Sequence, residues 1–181
     1  ALRGLSEKHC CMMIHTSRYT EVHDSYLPLI KDKWLKILLK DLRENKLSTF
    51  ERLEKLWEKE SKRLSLEQRS KLNCPNNYET FSEIKKHLLN EAESIKVLRE
   101  NSNNDNEEDR LDFEKKFLHA IVIGGDVLSR GLTVEGLVCS FFLRESKNDD
   151  TLMQMGRWFG YRKGYEAVSY THLTLPTRTR V

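Results

Sequence analysis

Residues His9–Ile14 open the chain with a short apolar run, and His15-Thr16-Ser17 follow. That order predicts a buried strand that runs into a loop. From Leu27 to about Lys62 the pattern turns helical. Trp34, Leu35, Leu38, Leu39 and Leu42 recur at three- and four-residue steps, as one face of a helix requires. Phe50, Leu53, Leu56 and Trp57 repeat the period behind Ser48-Thr49, which reads as an N-cap with Glu51 in the first turn. Cys74-Pro75-Asn76-Asn77 is a break. Thr80–Arg99 reads as a further helix with Phe81, Ile84, Leu88, Ile95 and Leu98 on its apolar side, and the polar, acidic stretch Asn101–Asp109 reads as a solvated loop.

The texture then changes. Leu118–Gly125 and Leu137–Leu143 are apolar without alternation, which suits central strands covered on both faces. Asp149-Asp150-Thr151 is placed to cap a last helix through about Gly160. The order of strand, helical excursion, strand, turn, strand and helix predicts an α/β fold. It has a mostly parallel sheet with helices on both faces and a long helical insertion over about 27–115. No internal repeat is visible.

Composition adds limits. Apolar residues make up 38% of the 181 and charged residues 33%, which predicts much exposed helical surface around a small core. The net charge is +3, too small to argue for nucleic acid by itself. Two of the positives, Arg178 and Arg180, fall in the stretch Val168–Val181. That stretch has no acidic residue and no helical period, and it resembles a translated adapter. It is expected to be a non-native tail, which leaves 1–167 as a partial domain. The first residue is Ala1, not Met, so the chain reads as beginning inside a longer protein. No apolar run reaches the ~18 residues of a membrane span, and no secretory leader is visible. None of the four cysteines pairs as C-x-x-C. Reduced thiols in a cytoplasmic protein are expected.

Candidate chemistry concentrates in two places. Gly124–Leu137 is a glycine-bearing polar turn after a strand, where ligands sit in open α/β sheets. Glycine lets backbone approach a phosphate closely, and Ser129, Arg130 and Thr133 add donors. Turn-making explains the glycines equally well, and Arg130 has Asp126 and Glu135 as pairing choices. The second place is Gln154–Arg162. Arginine forks phosphate oxygens and keeps its charge at working pH. Arg157 and Arg162 lie roughly 140° apart on a straight helix, so a turn near Gly160 is needed to aim both at one ligand. Trp158, Phe159 and Tyr161 suit core packing or base stacking.

Together the two segments resemble superfamily-two helicases. Asp126-Val127-Leu128-Ser129-Arg130-Gly131 is similar to their motif V, and Gln154–Arg162 to motif VI, the arginine-finger motif. The closer resemblance is to the Z1 domain of proteins named as endonucleases of bacterial restriction systems. It rests on Gly124–Leu137, on Gln154–Glu166, and on Met12–His23, which takes the place of helicase motif IV. Two features depart from the helicase pattern: the arginines of motif VI are five apart rather than three, and Thr133 stands where motif V usually closes with aspartate.

The resemblance implies a second RecA-like lobe that supplies half of an ATP site. Arg157, with Arg162 as alternate, would be the catalytic finger. Gly125, Asp126, Ser129, Arg130, Gly131, Thr133 and Gln154 would form the ATP and coupling loop. His15, Thr16, Ser17 and Arg18 would meet a nucleic-acid backbone, DNA in this setting. ATP and Mg²⁺ would be held mainly by an N-terminal RecA-like lobe of the same parent chain. No G-x-x-x-x-G-K-[ST] loop occurs here, so the chain alone is expected not to hydrolyse ATP.

Three rival readings stand beside this one. Asp126 with Glu145 and Lys147 fits the loose skeleton of a metal-dependent nuclease. The cluster His9, Cys10, Cys11, His15 and His23 fits no standard zinc spacing, and no metal site is assigned. A non-catalytic helical interaction module is the third.

Overall fold

The computed structural model describes residues 7–15, 19–62, 65–71, 79–100, 111, 113, 117–125 and 134–142. Its centre is a four-stranded sheet of β1 (Cys10–His15), β2 (Lys96–Glu100), β3 (His119–Gly124) and β4 (Leu137–Phe142), in spatial order β2-β3-β1-β4. Every pairing is parallel. The α/β class with a parallel sheet is therefore present.

β3 and β1 fill the middle because both faces of each are apolar. In β3, Ala120, Ile121, Val122 and Ile123 are buried, as are Cys11, Met13 and Ile14 in β1. Each fully buried aliphatic side chain stabilises by about 1.5–3 kcal/mol relative to exposure. Alternation sorts the residues between two layers. Cys11, Met13, Ala120, Val122, Leu98 and Leu137 form one layer with Val134, Leu111 and Phe113 packed on it. Ile14, Ile121, Ile123 and Val97 face the other way, against Leu35 and the half-buried Tyr26, Leu27, Ile30 and Leu39. The adjacent Cys10 and Cys11 do diverge, since Cys11 enters the first layer and Cys10 does not.

The helical layer on the second face is α1 (Thr20–Pro28), a π-helical segment (Leu29–Leu35) and α2 (Lys36–Arg43), followed by α3 (Leu47–Ser61), α4 (Leu66–Lys71) and α5 (Phe81–Glu93). A second apolar cluster of Leu42, Phe50 and Ala92 joins α2, α3 and α5, and Arg43 clamps Glu93 with hydrogen bonds of 2.7 and 3.2 Å. No described helix covers the opposite face, where helices were also expected.

Four further expectations are corrected. The helix read over Thr80–Arg99 is two elements: α5 stops at Glu93, and β2 begins at Lys96. The helical stretch placed between the first two strands thus contains a strand of the sheet. Ser48-Thr49 is not the N-cap of α3; the cap position is Lys46, without a side-chain cap bond. The Thr49 hydroxyl instead donates to Asp41 Oδ2 at 2.6 Å. The apolar run Leu137–Leu143 suits a central strand, but β4 is an edge strand among the described residues, with Phe141 half exposed. Trp34, assigned to the apolar face, is 52% exposed. The π turn around it shifts the helical phase that a regular α period assumes. The break at Cys74–Asn77 and the helix expected after Asp149 lie outside the described residues.

Local chemistry fixes the helix ends. Thr80 Oγ1 accepts from the Glu83 amide at 3.4 Å while Glu83 Oε2 accepts from the Thr80 amide at 2.8 Å, a reciprocal capping box. The Thr80 hydroxyl also donates to Glu83 Oε2 at 2.7 Å, and that bond, followed by the one from the Thr80 amide, holds the Glu83 carboxyl below its ordinary pKa. The Thr49 hydroxyl does the same for Asp41, helped by Lys46, against a smaller opposing effect of burial. Gly136, at φ +70°, enters β4 so close to β1 that an added Cβ would stand 2.0 Å from the His9 carbonyl oxygen. Its own carbonyl accepts the Cys11 amide at 2.8 Å.

Gly136→Ala is expected to cost at least ~2 kcal/mol, from the left-handed backbone and the backbone overlap. Urea unfolding measures it, with exposed Lys55→Ala within ~0.5 kcal/mol as the control. A pH series tests Asp41. Its folded pKa is depressed, so its stabilisation is present above the ordinary carboxyl value and lost as pH falls through the depressed one. In Thr49→Val the deficit in urea midpoint should be largest near neutrality and shrink as the medium is acidified. A deficit that stays constant would remove the role given to this hydrogen bond.

Candidate functional site

A parallel sheet places all its carboxyl ends on one edge, and here the register makes them level. Glu100 pairs with Gly124, Gly124 with His15, and His15 with Phe142. The last residues of β2, β3, β1 and β4 therefore form one row. With ~4.8 Å between neighbouring strands, the chain leaves β3 and β4 only about 10 Å apart, on either side of β1.

The expected site segments depart from this row. Residues 126–133 follow β3, residues 16–18 follow β1, and the segment that leads to 154–162 follows β4. Gly125 is described: it is buried directly behind β3. His15 is fully buried at the end of β1. Its imidazole is thus enclosed by protein and not presented to a solvated backbone. Thr16, Ser17, Arg18, Asp126, Ser129, Arg130, Gly131, Thr133, Gln154, Arg157 and Arg162 lie outside the described residues. So do Glu145 and Lys147 of the nuclease alternative.

In sequence, residues 16–18 fall between two described elements. Before them stands β1, the inner strand. After them, α1 starts at Thr20 and is fastened to the sheet by an ion pair between Asp24 and Arg99 of β2, and its His23 is buried. Arg99 and Asp24 were not singled out from sequence. The Asp24–Arg99 pair spans 75 positions, and no local spacing announces it. The cap residue of α1 is Tyr19, which makes no side-chain cap bond, and Glu21 lies in the first turn.

The histidines and cysteines near the amino terminus have other duties. The His9 ring meets Phe113 edge-on at 5.1 Å. Its Nδ1 accepts from the Leu118 amide at 3.1 Å, and Nε2 stands 3.7 Å from Glu135. Cys11 Sγ approaches the Leu118 carbonyl at 3.9 Å. Among the described residues no group of three or more His, Cys, Asp or Glu is arranged to hold a metal ion. No described helix is long and apolar enough to cross a membrane.

The sequence matches the Z1 domain family over residues 1–179. The chain belongs to the Z1 domain family. The matched range extends into 168–181, the stretch set apart above as a tail, which also lies outside the described residues. No curated protein and no solved structure matches the chain. This Z1 domain has a parallel sheet whose inner strand, β1, lies between β3 and β4, the strands that precede the two arginine-bearing segments in sequence.

Proposed function

We propose that this Z1 domain is the second RecA-like lobe of a helicase-like ATPase linked to DNA restriction, and that it contributes the arginine half of a shared ATP site. The observation that supports this best is the level row Glu100–Gly124–His15–Phe142. The chain sets out from this one edge both toward Ser129–Arg130, behind β3, and toward Arg157, behind β4. Had β3 and β4 run antiparallel, the two segments would have left from opposite ends of the sheet.

The donor set fits the nucleotide's phosphates. Ser129, Arg130, Thr133, Arg157 and Arg162 all offer hydrogen-bond donors, which suit phosphate oxygens. Magnesium needs oxygen ligands, and these belong to the partner lobe, with its phosphate-binding loop. When bound, ATP supplies the reactive phosphoryl group. Arg157 is assigned to neutralise charge that builds on that group, a contribution of about 10³–10⁵ in rate. Arg162 is the alternate. Asp126, Ser129 and Arg130 are assigned to couple the nucleotide to the nucleic-acid path, with Gly125, Gly131 and Gln154 shaping the turn and the helix. Thr16, Ser17 and Arg18, held between β1 and α1, are assigned to backbone phosphates of DNA, and the buried His15 to the support of that loop.

In the complete parent protein, Arg157→Ala is expected to lower steady-state ATP turnover by ~10³-fold or more while ATP binding stays within a few-fold. Unchanged turnover would remove the finger assignment. Filter binding at two salt concentrations tests the loop. The double variant Thr16→Ala/Arg18→Ala should bind DNA more weakly and lose about one unit of salt slope; unaltered affinity and slope would count against the contact.

A further inference from the structure

We propose that a cavity at the opposite end of the sheet binds a small amphiphile with an apolar body and an amine head. The cavity is about 440 Å³, within the range of about 300–1,000 Å³ typical of small-molecule sites. It lies between the helical layer and the amino ends of β1 and β3, away from the row of carboxyl ends. Its walls come from separate elements: Trp34 of the π segment, Leu38 of α2, Leu53 of α3, Leu88 of α5, Ile121 of β3 and Val138 of β4.

Two irregularities of the fold meet here. One is the π turn, a feature frequent at functional sites. It leaves Trp34 at the cavity with half its surface in water. The other is a bulge in β4. Cys11 pairs with Leu137 and Met12 with Cys139, so Val138 is the extra residue, and Val138 lines the cavity. Bulges commonly re-aim a side chain beside a site.

The polar end decides the ligand's chemistry. Glu91 and His119 both line the cavity, with the carboxylate 3.5 Å from His119 Nδ1. The Ser94 hydroxyl donates to the Glu91 carbonyl at 2.7 Å, so at 2.9 Å from His119 Nδ1 its oxygen accepts the ring's N–H. The Glu91 carboxylate calls for a cationic donor head, and an ammonium group supplies it; an acid would be repelled. The Trp34 ring face adds stacking or cation–π attraction.

The experiment is calorimetric titration of the 181-residue chain with 4-phenylbutylamine and with 4-phenylbutyrate, which share a body and differ in head charge. The amine should bind at least tenfold more tightly. Glu91→Gln should bring the two within threefold of each other. Ala92→Leu, which narrows the cavity, should weaken the amine at least tenfold while the circular dichroism spectrum is retained. Three results would overturn the proposal. The first is no binding of the amine. The second is equal binding of both compounds, which marks an unselective apolar cleft. The third is a concentration-dependent dimer that Ala92→Leu dissolves, which makes a second copy the occupant.

Discussion

The structure depends on β1 pairing in parallel with both β3 and β4. β1 is the first element in the chain, yet it is inserted between the third and fourth strands. No contact close in sequence can hold it there. Its place is held by apolar burial on both faces and by main-chain hydrogen bonds to residues more than a hundred positions away, such as Cys10 N to the Leu118 carbonyl. Parallel ladders need long crossovers, and non-local pairing is slow to form. The helical layer between β1 and β2 is thus part of how the sheet is built, since it covers the face carrying Ile14, Ile121 and Ile123.

The legibility of the elements follows the same physics. β1, β3 and β4 could be read because parallel strands covered by other layers become continuous apolar runs. β2 could not. Lys96-Val97-Leu98-Arg99-Glu100 is short and mixed, and Ile84, Leu88, Ile95 and Leu98 continue a helical period straight through the junction. No glycine or proline marks the end of α5; Ser94 ends it by folding its hydroxyl back to the Glu91 carbonyl. The cap of α3 was misread for a related reason. A Ser-Thr pair ahead of an apolar run is a start signal, but the Thr49 hydroxyl is taken by Asp41, eight residues earlier, a partner no window rule weighs.

The candidate site was legible as motifs but not as geometry. Sequence order alone does not say whether the segments behind β3 and β4 leave from one edge; the parallel pairings to β1 do. For His15, the identity of the residue suggested a polar contact, while its position at the end of an inner strand buries it. The strand's neighbours decide exposure there, and they are far away in sequence. The Asp24–Arg99 pair that seats α1 is hidden in the same way.

The helical rod from Thr20 to Arg43 connects the two ends of the sheet. It begins at Thr20, after β1 ends at His15, and carries Trp34, Leu38 and Leu42 to the cavity near the amino edge. At ~1.5 Å per residue it is about 35 Å long, long enough to bridge them. A straight α-helix of that length would transmit a push at one end as a shift at the other. The π segment Leu29–Leu35 interrupts the regular α-helical register between the two halves. The Asp24–Arg99 pair fixes the first half to β2, and Arg43–Glu93 fixes the second to α5. Each half is therefore tied to a different part of the fold, with the segment bearing Trp34 between the ties.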